Sequence, residues 1–240
     1  MCAVRIVSGH WYGERALDYR AAWDLQREIH ADRVAGRVDD TVLFMEHPPV
    51  YTAGKRTRAH EHPAAHGSAQ IVDVDRGGKI TFHGPGQLVG YPICQLPSTI
   101  YVVDYVRRLE EALIRTVTEL GVACGRVRGR SGVWLAGDGP GYDRRPERKI
   151  AQIGIRVSGG VTMHGFSLNC NVDLGWFDTF VPCGIDDAAV TSLSHELGRE
   201  ITAPQAAATL QSHLVELLEW RDYTPSGFIA DHVTAGVPET

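Results

Sequence analysis

Between residues 71 and 169 the chain repeatedly starts a short β-rich apolar run and breaks it at glycine or proline. This punctuation constrains the fold more than any other feature. Strands are predicted over residues 71–75, 79–83, 88–96, 131–135, 149–157 and 162–169, with two more upstream at 3–8 and 41–46. Gly84-Pro85-Gly86 forms one turn, and Ser158-Gly159-Gly160 reads as the hairpin turn between the last two strands. His47-Pro48-Pro49 ends the strand at 41–46, and a polar loop follows. Helices interrupt the pattern in three places. One is predicted over 17–34, and another from Pro204 to about Trp220. The clearest spans 101–120, where Val102, Val106, Leu109, Leu113, Val117 and Leu120 recur at spacings of three and four before Gly121. With no repeat and no linker, the expected architecture is α+β. It is a single domain over residues 1–222 with a mixed β-sheet flanked by helices, followed by a weakly ordered tail over 223–240.

Composition narrows the function. A length of 240 residues, 43% of them hydrophobic, supports one sizeable core. A net charge of −5 argues against a nucleic-acid partner. No apolar run approaches the ~20 residues of a membrane helix, and no basic-then-apolar leader opens the chain; a cytoplasmic protein without membrane contact is expected. The five cysteines (Cys2, Cys94, Cys124, Cys170 and Cys183) include no CxxC pair, so neither a disulfide framework nor a cysteine zinc site is expected. His47, His60, His62 and His66 lack a fixed element to hold them, and no metal is expected there. The charge is uneven, however. Arg126, Arg128, Arg130, Arg144, Arg145, Arg148 and Lys149 crowd together, either as a solvated loop or as a positive field for an acidic partner.

Among the thiols, Cys183 stands apart because Pro182 and Gly184 flank it, a setting for a tight exposed turn. A thiol becomes a nucleophile only beside a base or a positive charge. The other four read as packing or terminal cysteines. The glycine-rich run from Arg76 to Gln87 is neither a P-loop nor a dinucleotide fingerprint, since no helix opens at its end. Its glycines either let backbone approach a ligand, with His83 on the wall, or simply turn between strands. Lys149 opens a predicted strand, a position usually solvated.

Taken together, five runs resemble the lipoyl(octanoyl) transferase family, also called lipoate–protein ligase B. They are RGGKITFHGPGQLVGYP (76–92), GRSGVW (129–134), KIAQIGIR (149–156), HGFSLN (164–169) and VPCGI (181–185), in that order. The resemblance implies a biotin/lipoate protein ligase-type catalytic fold. It implies transfer of an octanoyl group from the phosphopantetheine arm of acyl carrier protein to one lysine of a lipoyl domain, as in 2-oxoacid dehydrogenase complexes and the glycine cleavage H protein. This would be the first step of endogenous protein lipoylation. Cys183 aligns with the family's acyl-thioester cysteine and Lys149 with the lysine that activates it. Arg76, Gly77, Gly78, Lys79, Ile80, Thr81, Phe82 and His83 match substrate-binding stretches, as do Gln152, Ile153 and Gly154, and Gly165, Phe166 and Ser167. No ATP, metal or other cofactor is implied. Two departures stand out: Gln152 occupies a position where the family usually has a small residue, and the loop 138–147 is long. The rival readings are an ATP-dependent ligase of the same fold, a cysteine hydrolase using His83 or His164, and a non-catalytic acyl carrier.

Overall fold

A computed structural model of the chain describes residues 4–63, 69–138, 145–180 and 188–229. Eight strands form the main sheet. Seven lie in the order β1 (Arg5–Trp11), β2 (Thr41–Met45), β6 (Gln87–Ile93), β10 (Val161–Asn169), β9 (Arg148–Ser158), β8 (Arg130–Leu135) and β7 (Gly125–Val127). The eighth, β11 (Ala189–Val190), runs parallel to the start of β9. A smaller sheet places β3 (Val50–Ala53) between β4 (Gln70–Asp73) and β5 (Thr81–His83).

Alternation along the central strands decides what each face of the main sheet meets. Val42, Phe44 and Leu88 join one core cluster with Leu109, Leu113 and Val117 of α2 (Val102–Glu119) and Leu210, Leu214 and Leu217 of α4 (Ala203–Leu218). Their neighbours Leu43, Met45, Val89, Tyr91 and Ile93 turn the other way and meet Ala22, Leu25 and Ile29 of α1 (Tyr19–Val34). The α2 stripe read from spacing is thus the buried one. The α+β arrangement of mixed sheets flanked by helices is the expected one.

The small sheet lies on the α1 side. Its inner residues Tyr51, Ile80 and Phe82 form an aromatic-rich cluster with Phe177 and Phe180, and Phe82 stacks on Trp176 at 4.9 Å between ring centroids. Glycines let the Arg76 turn lie flat against the main sheet. A Cβ on Gly54 would meet Gly78 O at 2.5 Å, and one on Gly154 would meet Arg76 Cδ at 3.0 Å. The Gly77 N–H fastens the turn to Ile155 O at 3.0 Å. A cleft remains between the two sheets.

Strand β3 replaces part of the expected polar loop. β7, β11 and the short helix α3 (Leu193–Leu197) are likewise elements that the punctuation did not reveal. The chain beyond Tyr223, expected to begin a tail, is tied down as far as Ile229. Ser226 N–H and Oγ donate to Glu111, and Arg126 Nη1 donates to Ser226 O at 2.6 Å. No described helix is long and apolar enough to cross a membrane.

Candidate active site

The cleft is walled by three groups of residues. The turn and strand of the small sheet supply Arg76, Gly78, Lys79, Thr81 and His83. The main sheet supplies Lys149, Gln152, Ile153, Gly154, Gly165, Phe166 and Ser167, together with Val89 and Tyr91. Tyr19 at the head of α1 and residues 129–131 close it. Most of the residues singled out in sequence therefore share one cavity wall. Three do not. Ile80 and Phe82 are fully buried in the aromatic cluster, because alternation along β5 turns them away from Thr81 and His83. Gly77 spends its N–H on β9 rather than on the cleft.

Lys149 is not solvated; it is 5% exposed. The reason is a bulge in β9. Val133 pairs with Ala151 but Trp134 pairs with Lys149, so β9 carries one extra residue, Ile150, between these rungs. Ile150 and Ala151 consequently both pack into the α2–α4 core, and Lys149 is returned to the cleft face. There its Nζ lies 4.9 Å from the Trp134 ring centroid. Gly132, with φ +107°, vacates the space: a Cβ there would sit 2.6 Å from Lys149 Cε and 2.4 Å from Ala151 O. Glu110 of α2 holds this point of β8, accepting the Gly132 N–H at 3.0 Å.

Cys183 lies outside the described residues. The chain that follows it is held beside Lys149: Val190 of β11 pairs with Lys149, and the Thr191 N–H donates to Lys149 O at 3.0 Å.

The histidines here are neutral. Burial pushes the His83 imidazole down to about 3 and those of His47 and His164 to about 4. Hydrogen bonds fix their tautomers. Gln87 Nε2 donates to Asn169 Oδ1, which turns Gln87 Oε1 towards His83 Nδ1 at 2.7 Å; the proton is therefore on Nδ1, and Nε2 is an acceptor on the cleft wall. Asn169 Nδ2 extends the relay to Thr191 O at 2.9 Å. His47 Nδ1–H donates to Leu17 O, and its Nε2 accepts from Tyr91 O–H at 2.8 Å. His47 is thus a packed residue, and no group of three or more His, Cys, Asp or Glu suited to a metal occurs among the described residues.

The arginine cluster needs correction. Arg126 is buried and bonded to Glu110 and Glu111, and Arg148 makes a two-pronged bond with Glu196. Arg145 pairs with Asp138 and Glu196, and Arg130 with Glu147. Arg144 lies outside the described residues. What reads as an open positive field along the sequence is paired with carboxylates, Asp138 and Glu147 from within the stretch and Glu110, Glu111 and Glu196 from helices outside it.

Sequence reasoning missed Tyr19, Arg56, Tyr91 and Val89. Val89 and Tyr91 share a face of a correctly predicted strand, so their parity was the available signal. Tyr19 gave none.

A two-sheet α+β domain with a glycine-lined cleft and a buried lysine on its wall is the catalytic-domain class of lipoate-handling enzymes. The chain belongs to the lipoyl protein ligase A/B catalytic domain family, which it matches over residues 18–215. An octanoyltransferase of Streptomyces griseus is 50% identical over 262 aligned positions, covering 95% of each chain. One of Thermobifida fusca is 54% identical over 215, covering 89% of this chain and 90% of that protein. A bi-partite lipoate protein ligase of Thermoplasma acidophilum, described with its E2 lipoyl domain, has the same fold. It has a TM-score of 0.62 at 12% identity and covers 94% of this chain and 86% of that one.

Proposed function

We propose that the chain transfers an octanoyl group from acyl carrier protein to a lysine of lipoyl domains, through a thioester on Cys183 that Lys149 activates. The observation that carries this reading is the bulge that turns Lys149 into the cleft beside β11, the strand that follows the Cys183 segment. The relatives named octanoyltransferase, matched over nearly their whole length, support the same activity.

The chemistry follows from the residue types. An ammonium beside the sulfur favours thiolate. The thiolate attacks the carrier's thioester; one C–S bond forms as another breaks, and the carrier's thiol takes up the proton. This exchange is nearly isoenergetic and consumes no ATP. The acceptor lysine, as free amine, then attacks the acyl carbon. An amide forms, the Cys183–acyl bond breaks, and the amine proton returns to the thiol pair. Val89, Ile153, Phe166 and the rings of Tyr19 and Tyr91 give an aliphatic chain apolar contact, at about 0.8 kcal/mol per buried CH₂. The lining includes Arg56, Arg76, Lys79, Arg130 and Lys149 and, among the described residues, no carboxylate, which suits the phosphodiester of a phosphopantetheine arm. Lys79 is paired with Glu61 and Arg130 with Glu147, and both Nη atoms of Arg76 donate to oxygens of Thr52, Gly77 and Lys79.

Mass spectrometry after mixing with octanoyl carrier protein tests the reading. The expected result is an octanoyl mass on Cys183 that is chased onto a lipoyl domain without ATP. A strict ATP requirement with free octanoate would instead establish a ligase.

A further inference from the structure

We propose that Gln152 and Ser167 form a donor pair for the carbonyl oxygen of the bound acyl group. This rests on the acyl-Cys183 reading and adds to it the groups that steady the oxygen.

The two residues are register partners on β9 and β10, and both line the cleft. Both are more than nine-tenths buried. Ser167 Oγ donates to Gln152 Oε1 at 2.8 Å, and Gln152 Nε2 has no hydrogen-bond partner among the described residues. Between them the side chains hold three donor hydrogens, two on the amide and one on the hydroxyl. Their mutual bond uses one. Turning the amide over would only exchange which hydrogens remain; two stay unmet either way. Val89, the partner of Ser167 on β6, offers no side-chain acceptor. Buried donors without acceptors are rare in folded proteins, and here they sit on the wall of a binding cleft.

A hydrocarbon chain would leave those hydrogens unmet. The two hydrogens of one amide nitrogen diverge too far to share an oxygen. With the amide turned over, so that Nε2 donates to Ser167 Oγ, one N–H and the serine O–H remain, and a carbonyl oxygen takes one from each residue. The bulge fixes where along the cleft that oxygen would lie. With Ile150 turned into the core, Lys149 and Gln152 become successive cleft-facing positions of β9, about 7 Å apart along the strand. A thioester whose sulfur lay beside the lysine ammonium, with its acyl chain directed along β9 towards Gln152, would carry its carbonyl within that interval. When thiolate or amine attacks, the C=O π pair moves onto oxygen; the two hydrogen bonds then meet an oxyanion, and no proton changes hands.

The test uses the full chain loaded from carrier protein with octanoate labelled with carbon-13 at C1. The measurements are the infrared band of the acyl-enzyme carbonyl and the single-turnover rate of transfer to a lipoyl domain. Gln152→Leu keeps the side chain's bulk and removes its donors; Ser167→Ala removes the third. In both variants the labelled band is expected at higher frequency than in the parent chain. Transfer in Gln152→Leu is expected to slow ~10²-fold while KM for the carrier protein holds. Gln152→Met, which also lacks a donor, serves if Gln152→Leu fails to fold, and the same two changes are expected. A loaded variant with parental band position and rate overturns the proposal. If the parent chain shows no labelled thioester at all, the Cys183 reading falls, and the donor pair falls with it. The two failures are distinguished by whether the band exists.

Discussion

Gly132 and Lys149 compete for one volume: a single methyl on the glycine would lie 2.6 Å from the lysine Cε. The methyl would also meet the carbonyl of Ala151, which does not move without breaking the β8–β9 pairing. Gly132→Ala is therefore expected to expel the ammonium from its place over Trp134. Its φ of +107° adds backbone strain. Octanoyl transfer should fall at least ~10²-fold, with far-UV circular dichroism little changed. Retained activity in a folded Gly132→Ala protein would show that the lysine's position does not matter.

Lys149→Met keeps an unbranched side chain against Trp134 and removes the charge. Loading of Cys183 should slow by ~10²–10⁴, and alkylation of Cys183 by iodoacetamide near neutral pH should slow with it. The paired readout separates loss of thiolate from loss of substrate binding.

Arg126 is the shared counter-ion of Glu110 and Glu111, both essentially inaccessible to water. Arg126→Met leaves Glu110 with Arg107 and Glu111 with Arg115 as their remaining cations, and should destabilise the domain by about 1–3 kcal/mol in urea unfolding. Glu110 also holds β8 at Gly132, so activity should fall before the domain unfolds.

The neutral histidines give the protein an acid limit. His47 ionises near its ordinary value of 6.5 when unfolded but only at about 4 when folded. Above pH 6.5 neither state gains a proton and stability is level. As pH falls from 6.5 towards 4 the unfolded chain binds a proton that the native state refuses, and stability declines. His83 and His164 act in the same direction. His47→Gln should lower Tm at pH 7.5, by disturbing the bonds to Leu17 and Tyr91, yet flatten its decline between pH 6.5 and 4.

Residue patterns revealed the elements whose signals are local. The period of α2 and the hairpin of β9 and β10 are visible because each depends on neighbours a few residues away. The bulge at Ile150 is not, because it is defined only against β8, and its effect on Lys149 is invisible to alternation read along one strand. β3 fails for a related reason. Four residues after Pro-Pro carry little signal, and the strand exists because Gln70–Asp73 and Thr81–His83 bracket it. The arginine cluster misleads because only part of its carboxylate supply, Asp138 and Glu147, lies beside it in sequence; Glu110 and Glu111 arrive from α2 and Glu196 from α3. For Cys183 the ordered motifs speak, but its own geometry lies outside the described residues.

The clasp between Arg126 and the segment ending at Ile229 has a consequence for the protein in concentrated solution. Among the described residues β7 is the last strand of its sheet, and a bare last strand is a template for pairing with another molecule. Phe228 bridges to Arg126 in parallel fashion, and the Arg126 N–H donates to Gly227 O, so these residues cover that border. A chain shortened before Ser226 would expose it, together with a half-satisfied Glu111. Such a chain is expected to self-associate through β7 rather than merely to melt at a lower temperature.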